Sequence, residues 1–371
     1  MARYLIKNDD IINILLNIFF ITAFFTATYT NNIFVIFSLA LSLTILLNCF
    51  NSDKSSRTSI SYYFVFAFFI ILSFVYYLVG DFRDSFRVIK TMSILLPILF
   101  IPPNINIRVS KVLHYFLVLN ALLVYIDFLL YYVAGITITD TELSGIFLRL
   151  GGLMEDSNFY SFSIVCYIQY LYIKTNRYNK LFIISVFLSV SFSAILLLFS
   201  IFIFNLLAKR FNKKVSSFSV VLSLSLFIAY YSSVILMPNL RDTFAVDSSL
   251  NVKFISLSLR FESQYQALMS TEYIFGIGAG RTTSYTDIGL NLHNSYLQIF
   301  LEMGSFLLLP ILLLIFTYYR KIDSKFVPLF MMILFLGNIL EVIYFPIISF
   351  ILFLSLSYSN EYHIASQSKF L

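Results

Sequence analysis

The residues able to do chemistry fall in three stretches of the chain. In GDFRDSFRVIK, residues 80–90, Arg83, Arg87 and Lys90 recur at spacings of four and three. That spacing puts them on one face of a helix, over about 10 Å of rise. Such a stripe suits a diphosphate at a membrane surface, and it equally suits an interfacial collar pairing with lipid phosphates or with Asp81 and Asp84. In LRLGGLMEDSNFYSF, residues 148–162, Arg149 precedes Gly151-Gly152, and Asp156 or Ser157 is a natural N-cap for the helix that takes in Asn158. Exposed amides at a helix start favour an anion, although a capped helix after a turn needs no ligand. In FGIGAGRTTSYTDIGLNLHNSYLQIFLEMGS, residues 275–305, alternating glycines precede Arg281, and His293-Asn294 opens an apolar run. The glycines lack Rossmann spacing and a preceding strand, and read as a turn that holds Arg281. The chemistry on offer is planar, two-pronged guanidinium recognition of phosphate or carboxylate. One imidazole is available to take a proton near neutral pH.

No metal set accompanies these groups. His114, His293 and His363 fall in an apolar run, a loop end and the C-terminal tail, and no His-Glu-x-x-His pattern exists. Cys49 and Cys166 lie far apart inside apolar runs, so neither a disulfide framework nor a thiolate site is expected. No cofactor is expected either. Asp127, Glu302 and Glu341 lie in or near apolar runs, and intramembrane acids are functional candidates by default. Asp127 and Glu302 stand about two turns from a run's end, within reach of water.

The elements that position these residues are set by composition. Of 371 residues, 59% are hydrophobic and 12% charged, and the mean hydropathy is +0.87. Soluble domains average about 25% charged residues, so this chain cannot coat a water-facing surface. With 11 Gly and 7 Pro, collagenous and disordered classes are excluded as well. Unbroken runs such as Ile94–Ile101 exclude a β-barrel, whose strands alternate. The expected class is an all-α polytopic integral membrane protein, a single transmembrane domain over 1–371. The net charge of +6 reads as basic loops that set orientation, with the lipid bilayer as partner and no nucleic acid. The first apolar run lacks a small-residue cleavage site and reads as a retained helix.

Spans are expected at 11–29, 32–50, 60–79, 88–102, 112–134, 157–173, 215–237 and 294–317. Two longer runs remain. Leu181–Ala208 would make a helix of about 42 Å, against a hydrocarbon core of roughly 30 Å. Lys174, Arg177 and Lys180 precede it and Lys209, Arg210, Lys213 and Lys214 follow it, so one crossing would separate two basic clusters. A break at Ser191-Phe192-Ser193 keeps both on the cytoplasmic side. The run 327–358 breaks likewise at Glu341–Pro346. This makes about 12 spans (range 10–12) with both termini inside, a shorter periplasmic loop at 135–156 and a large periplasmic loop at 238–293. The inner segments then hold 11 Lys and 6 Arg, and the outer ones 2 Lys and 6 Arg: Arg83, Arg87, Arg149, Arg241, Arg260 and Arg281 with Lys90 and Lys253. An arginine-rich outer face is suited to an anionic ligand.

Two of these segments resemble a known family. Arg149-Leu-Gly-Gly-Leu-Met-Glu-Asp-Ser-Asn158 is similar to a motif of bacterial O-antigen polymerases and ligases, with Ser157 where that family usually has Pro. Phe275–Gly280, then His293-Asn-Ser-Tyr-Leu-Gln and Glu302-x-Gly304, resembles the exit of that superfamily's large loop and the helix that follows. The broken run is also similar, although Phe192 stands where the family often has Arg. The motifs cover about 45 residues. The resemblance implies an inner-membrane polymerase that joins undecaprenyl-diphosphate-linked oligosaccharides at the periplasmic face without metal or cofactor. It implies a diphosphate held by Arg149 and Arg281 with Arg83 and Arg87, supported by Lys90, Asn158, Asn294 and Arg260, and His293 as the base. A flippase and a chain-length regulator are the implied protein partners. The alternatives are a ligase that transfers finished chains to lipid A-core, and a lipid-linked oligosaccharide flippase or other transporter.

The topology has a direct check. With Cys49 and Cys166 removed, cysteines placed at Asn176 and Asn212 both resist a membrane-impermeant thiol reagent in intact spheroplasts. Labelling of just one would mean a single crossing between them.

Overall fold

The computed structural model describes residues 8–25, 56–80, 82–99, 101, 105–139, 141–144, 147–154, 156–211, 214–236, 249–269, 274–282, 292, 294–339 and 346–367. The expected span at 32–50, Arg241, His293 and Glu341 lie outside them. The chain is built from helices: α1 (Asn8–Phe25), α2 (Ser56–Val79), α3 (Phe82–Leu99), α4 (Lys111–Ala134), α5 (Ser157–Thr175), α6 (Lys180–Leu188), α7 (Phe192–Phe211), α8 (Lys214–Leu236), α9 (Ser249–Leu268), α10 (Ser295–Lys321), α11 (Val327–Leu336) and α12 (Ile347–Gln367). An antiparallel hairpin of β1 (Thr141–Ser144) and β2 (Phe147–Leu150), followed by a short 3₁₀ turn at Gly152–Met154, fills the expected loop 135–156. The other expected loop, 238–293, contains α9.

Local sequence explains where helices start and stop. The Ser110 hydroxyl accepts from Leu113 N at 3.1 Å to open α4, and Gly135 closes it at φ +68. Asp156 caps α5, and Asn176 ends it in the left-handed region at φ +54. Among the described residues, four helices are long and apolar enough to cross a bilayer: Lys111–Ala134, Phe192–Arg210, Val215–Ile235 and Ser295–Lys321. Their outward faces are greasy stripes at helical spacing. Tyr115, Leu119, Leu122, Ile126 and Leu129 are exposed on α4, and Phe192, Leu196, Phe199, Ile203 and Leu206 on α7. A water-soluble monomer does not display stripes of this extent. Lipid tails are the solvent that fits them. The inside is more polar, with Asn120, Asp127, Gln169, Asn205 and Glu302 buried.

The long run around Ser191 is a hairpin, as its flanking cations require. The break falls at Ser189–Ser191, slightly before the expected position, and Phe192 already belongs to α7. Ser189 and Ser161 join hydroxyls, and Ser191 Oγ donates to Asn158 Oδ1 at 2.8 Å. Helix α7 then runs back along α6. Phe187 meets Phe199, Tyr178 meets Phe202, and Asn205 Nδ2 donates to Tyr178 at 2.9 Å. Lys209 Nζ ends 5.9 Å from the Tyr172 ring centroid. The two basic clusters therefore share one end. One detail differs from expectation: α6 has 9 residues, about 13 Å of rise, which is half a crossing.

Other contacts gather the remaining expected inner cations at that end. Lys174 pairs with Glu361 at 2.7 Å, Gln169 reaches Lys325 O, Lys321 donates to Leu99 O, and Asn17 donates to Arg108 O. Asn360 Nδ2 reaches Ile105 O, and Val109 N donates to Ser357, closing the ring.

The expected span at 294–317 is α10, which carries a break that the sequence reading did not include. Helix α10 is broken at Gly304, whose φ +67 and ψ −175 are accessible essentially to glycine alone. The segment Ile274–Gly278 lies in the break. Ile277 N donates to Leu301 O and Gly278 N to Glu302 O, both at 2.9 Å, and Phe306 N donates to Ile274 O at 3.1 Å. Each satisfies a group that a continuous helix would have paired internally. A Cβ on Gly304 would fall 2.0 Å from Ile274 O, and one on Gly276 2.4 Å from the Glu302 carbonyl carbon.

Gly304→Ala accordingly destabilises the fold by more than about 2 kcal/mol, and Ser305→Ala beside it leaves stability unchanged. Buried Cys166 supplies the readout in a Cys49→Ser background. A thiol-reactive dye should report a melting temperature lowered by roughly 5 °C or more for Gly304→Ala.

Candidate functional site

At the end opposite the lysines, four chain segments meet. The first is the β-hairpin. Leu148 and Leu150 are buried, so the alternation of a strand turns half-buried Arg149 to the other face. The second glycine of the pair that follows is required by packing. Gly152 stands at φ +58, and a Cβ there would come 2.1 Å from Asn120 Oδ1, which accepts from Leu153 N at 2.8 Å. Asp156 then caps α5 by accepting from Asn158 N at 2.7 Å and Phe159 N at 3.2 Å. Asn158, expected as a ligand contact, spends its amide oxygen on Ser191 and ties the start of α5 to the α6–α7 turn.

The second segment is α9, which brings Arg260 to Arg149. Burial pulls the Arg260 guanidinium below its usual pKa; Tyr230 works the other way, and the like charge of Arg149 adds to the lowering. One turn further on α9, Gln264 is a hub. Its Oε1 accepts from Tyr230 at 2.9 Å and from Asn294 Nδ2 at 3.3 Å, and its Nε2 donates to Leu292 O at 3.0 Å. Tyr230 also reaches Asn338 O at 2.8 Å. Gln264, Asn294 and Asn338 are buried.

The third segment is the entrance of α10. Asn294 Oδ1 caps it, accepting from Tyr296 N and Leu297 N at 3.1 Å. Asn294 is therefore an architectural residue. The positions flanking His293 are held by this network on both sides. Glu302, expected within reach of water, is instead buried and accepts from Thr282 Oγ1 at 2.7 Å and Gln298 Nε2 at 3.2 Å. Asp127 is likewise buried, and holds the turn after α4 by accepting from Ile138 N at 2.6 Å and from Thr139. Neither carboxylate snorkels.

The fourth is the glycine loop with α3. Arg281 is exposed and folds back, its Nη1 donating to Ile277 O at 3.3 Å. Its neighbour Thr282 is the residue bound to Glu302. Ala279 N donates to the carboxylate of buried Asp84, next in sequence to Arg83. The loop thus grips the first turn of the helix that carries Arg83, Arg87 and Lys90. Lys90 is half-buried, and the side chains of Arg83 and Arg87 lie outside the described set. Asp84 therefore serves the loop's backbone. Among the described residues no three His, Cys, Asp or Glu side chains converge as a metal set.

The arrangement concentrates positive charge where backbone and amide groups are already engaged, which is a place for an anion and for hydroxyl-rich groups beside it. Sequence reading passed over Gln264, Tyr230 and Asn338. Only the four-residue spacing from Arg260 to Gln264, one helix face, hinted at the hub. Comparison with models of known protein families, with curated proteins and with solved structures finds no match to this chain. What the fold defines is the class: a helical protein with helices fit to cross a membrane, carrying arginines gathered at one end.

If Arg149 and Arg260 share one anion, Arg149→Ala and Arg260→Ala each weaken binding of a polyprenyl diphosphate about tenfold to a hundredfold. The double variant loses less than the product of the two. Equilibrium binding to the purified protein measures both. Unchanged affinity in both single variants would leave the pair a purely architectural role.

Proposed function

We propose that this chain is a polysaccharide polymerase of the bacterial inner membrane, joining undecaprenyl-diphosphate-linked oligosaccharide repeat units and releasing undecaprenyl diphosphate. In this reading about 12 spans place the lysine-rich end in the cytoplasm and the arginine end at the periplasm. The observation that supports it is that Arg149 lies close enough to Arg260 for their like charges to interact, at the end where a loop holding Arg281 grips α3. Of these, Arg149 and Arg281 lie in or beside the segments that resemble O-antigen polymerases and ligases.

The reaction asks little of the protein beyond charge and one proton acceptor. A sugar hydroxyl of one chain attacks the anomeric carbon of another. The carbon–oxygen bond to the diphosphate breaks and its electron pair leaves with the phosphate. Arginines placed where that charge grows lower the barrier. The hydroxyl proton passes to His293 and then to water. The energy resides in the diphosphate link, so no nucleotide is consumed. A flippase supplies the donor at the outer face, and a chain-length regulator is the expected partner. A transporter would need its cations along a mid-membrane path. The gathering of arginines at one end favours an enzyme.

The test is a reconstitution. Purified protein given lipid-linked repeat units makes ladders, and Arg281→Ala lowers the rate about tenfold to a hundredfold, with Arg281→Lys recovering part of it. His293→Gln and His293→Ala both lose activity by about 10²-fold or more if the imidazole takes the proton. Activity retained by Gln alone makes its role orientation. Transbilayer movement without new glycosidic bonds would replace the polymerase with a flippase, and single transfer to lipid A-core would make it a ligase.

A further inference from the structure

We propose that the lysine-rich end holds an anionic phospholipid, its headgroup phosphate on the cations gathered by the α6–α7 hairpin and its acyl chains on the apolar face leading away from them. The inference needs only the membrane setting and is independent of the reaction at the arginine end.

The hairpin makes the site by joining two clusters that are 29 residues apart in sequence, counted from Lys180 to Lys209. Lys174, Arg177 and Lys180 stand on one side, and Lys209 and Arg210 return beside them. Arg177, Lys180 and Lys209 are exposed. Lys174 pairs with Glu361 at 2.7 Å, and the segments 174–180 and 209–214 contain no acidic residue of their own. Between the two arms Tyr172 and Tyr178 stack at 4.3 Å and 13°. Asn205 fixes the Tyr178 hydroxyl at 2.9 Å, and Asn205 is itself locked to Gln169 by paired amides. The platform is therefore rigid and lies at the depth where Tyr meets headgroups.

A second feature selects a lipid over a soluble anion. From the cationic end an apolar track runs along both arms. Ile184 and Phe187 are exposed on α6, and Phe199, Ile203 and Leu206 on α7. The Phe187 and Phe199 rings meet at 6.2 Å, so the two stripes are continuous. Because α6 is half a crossing long, the track and the cations are separated by a distance a single phospholipid spans. Basic positions beside a leaflet attract anionic lipid by about 1 kcal/mol each. Several cations on one platform favour the doubly charged cardiolipin over phosphatidylglycerol.

The experiment uses the full-length protein in a neutral detergent, with binding read by native mass spectrometry and by thermal stabilisation. Cardiolipin should bind and stabilise most, phosphatidylglycerol less, and phosphatidylcholine not at all, with the effect falling as salt rises. The variant Arg177→Gln/Lys180→Gln/Lys209→Gln should bind cardiolipin at least about tenfold more weakly. The charge-matched control Arg108→Gln/Lys111→Gln/Arg320→Gln, outside the hairpin, should bind normally, and the charge-keeping Arg177→Lys should retain binding. Equal binding of phosphatidylcholine overturns the proposal. So does an equal loss in the control, or competition by inorganic phosphate at lipid-like concentration, which would mark a free-anion site.

Discussion

The arginine end depends on one backbone exchange, in which the segment 274–278 takes the place of a helical turn in α10. A bilayer offers no water to a broken helix, so the freed carbonyls of Leu301 and Glu302 must find donors within the protein. The loop supplies Ile277 N and Gly278 N, and takes Phe306 N in return. That exchange is possible because Gly276 and Gly304 carry no side chain. Once it is made, Thr282 falls on Glu302, Ala279 falls on Asp84, and Arg281 is displayed between them.

Polar groups inside the protein do the joining. Gln264 ties α9 to the entrance of α10, Asn158 ties α5 to the α6–α7 turn, and Asn120 receives the glycine pair after the hairpin. Each is a short polar side chain bonded to a bend or helix end, where backbone groups lack helical partners. In an apolar solvent such bonds also choose the packing, since an unmade one is costly. Gly152 and Gly276 thus have a packing reason beside any role in the site.

Charge divides the molecule into two working ends. Lysines sit on tyrosines and carbonyls at one end, where the α6–α7 hairpin folds two basic clusters together. Arg149 and Arg260 lie within electrostatic range of each other at the other end, where burial lowers the pKa of Arg260. Both functional proposals place a phosphate beside these cations.

Much of this was legible in the chain. Apolar runs specify helices because their backbone must pair internally, and the cations flanking Leu181–Ala208 required a hairpin there, since one crossing would have split them. The spacing of Arg83, Arg87 and Lys90 placed them on one helix, and Asp156 capped α5 as its position implied. The tertiary structure alone decided which polar groups serve the fold. Asn158, Asn294, Asp84 and Glu302 could each have met a ligand or water, yet each is bonded to a turn, a cap or a loop. It also decided that Arg260 lies within electrostatic range of Arg149 and that Gln264, on the same helix as Arg260, links α9 to the start of α10. The reason is that periodicity reports which face of an element is buried but not which element covers it, and a break such as Gly304 shows its purpose only when the segment that fills it is in place.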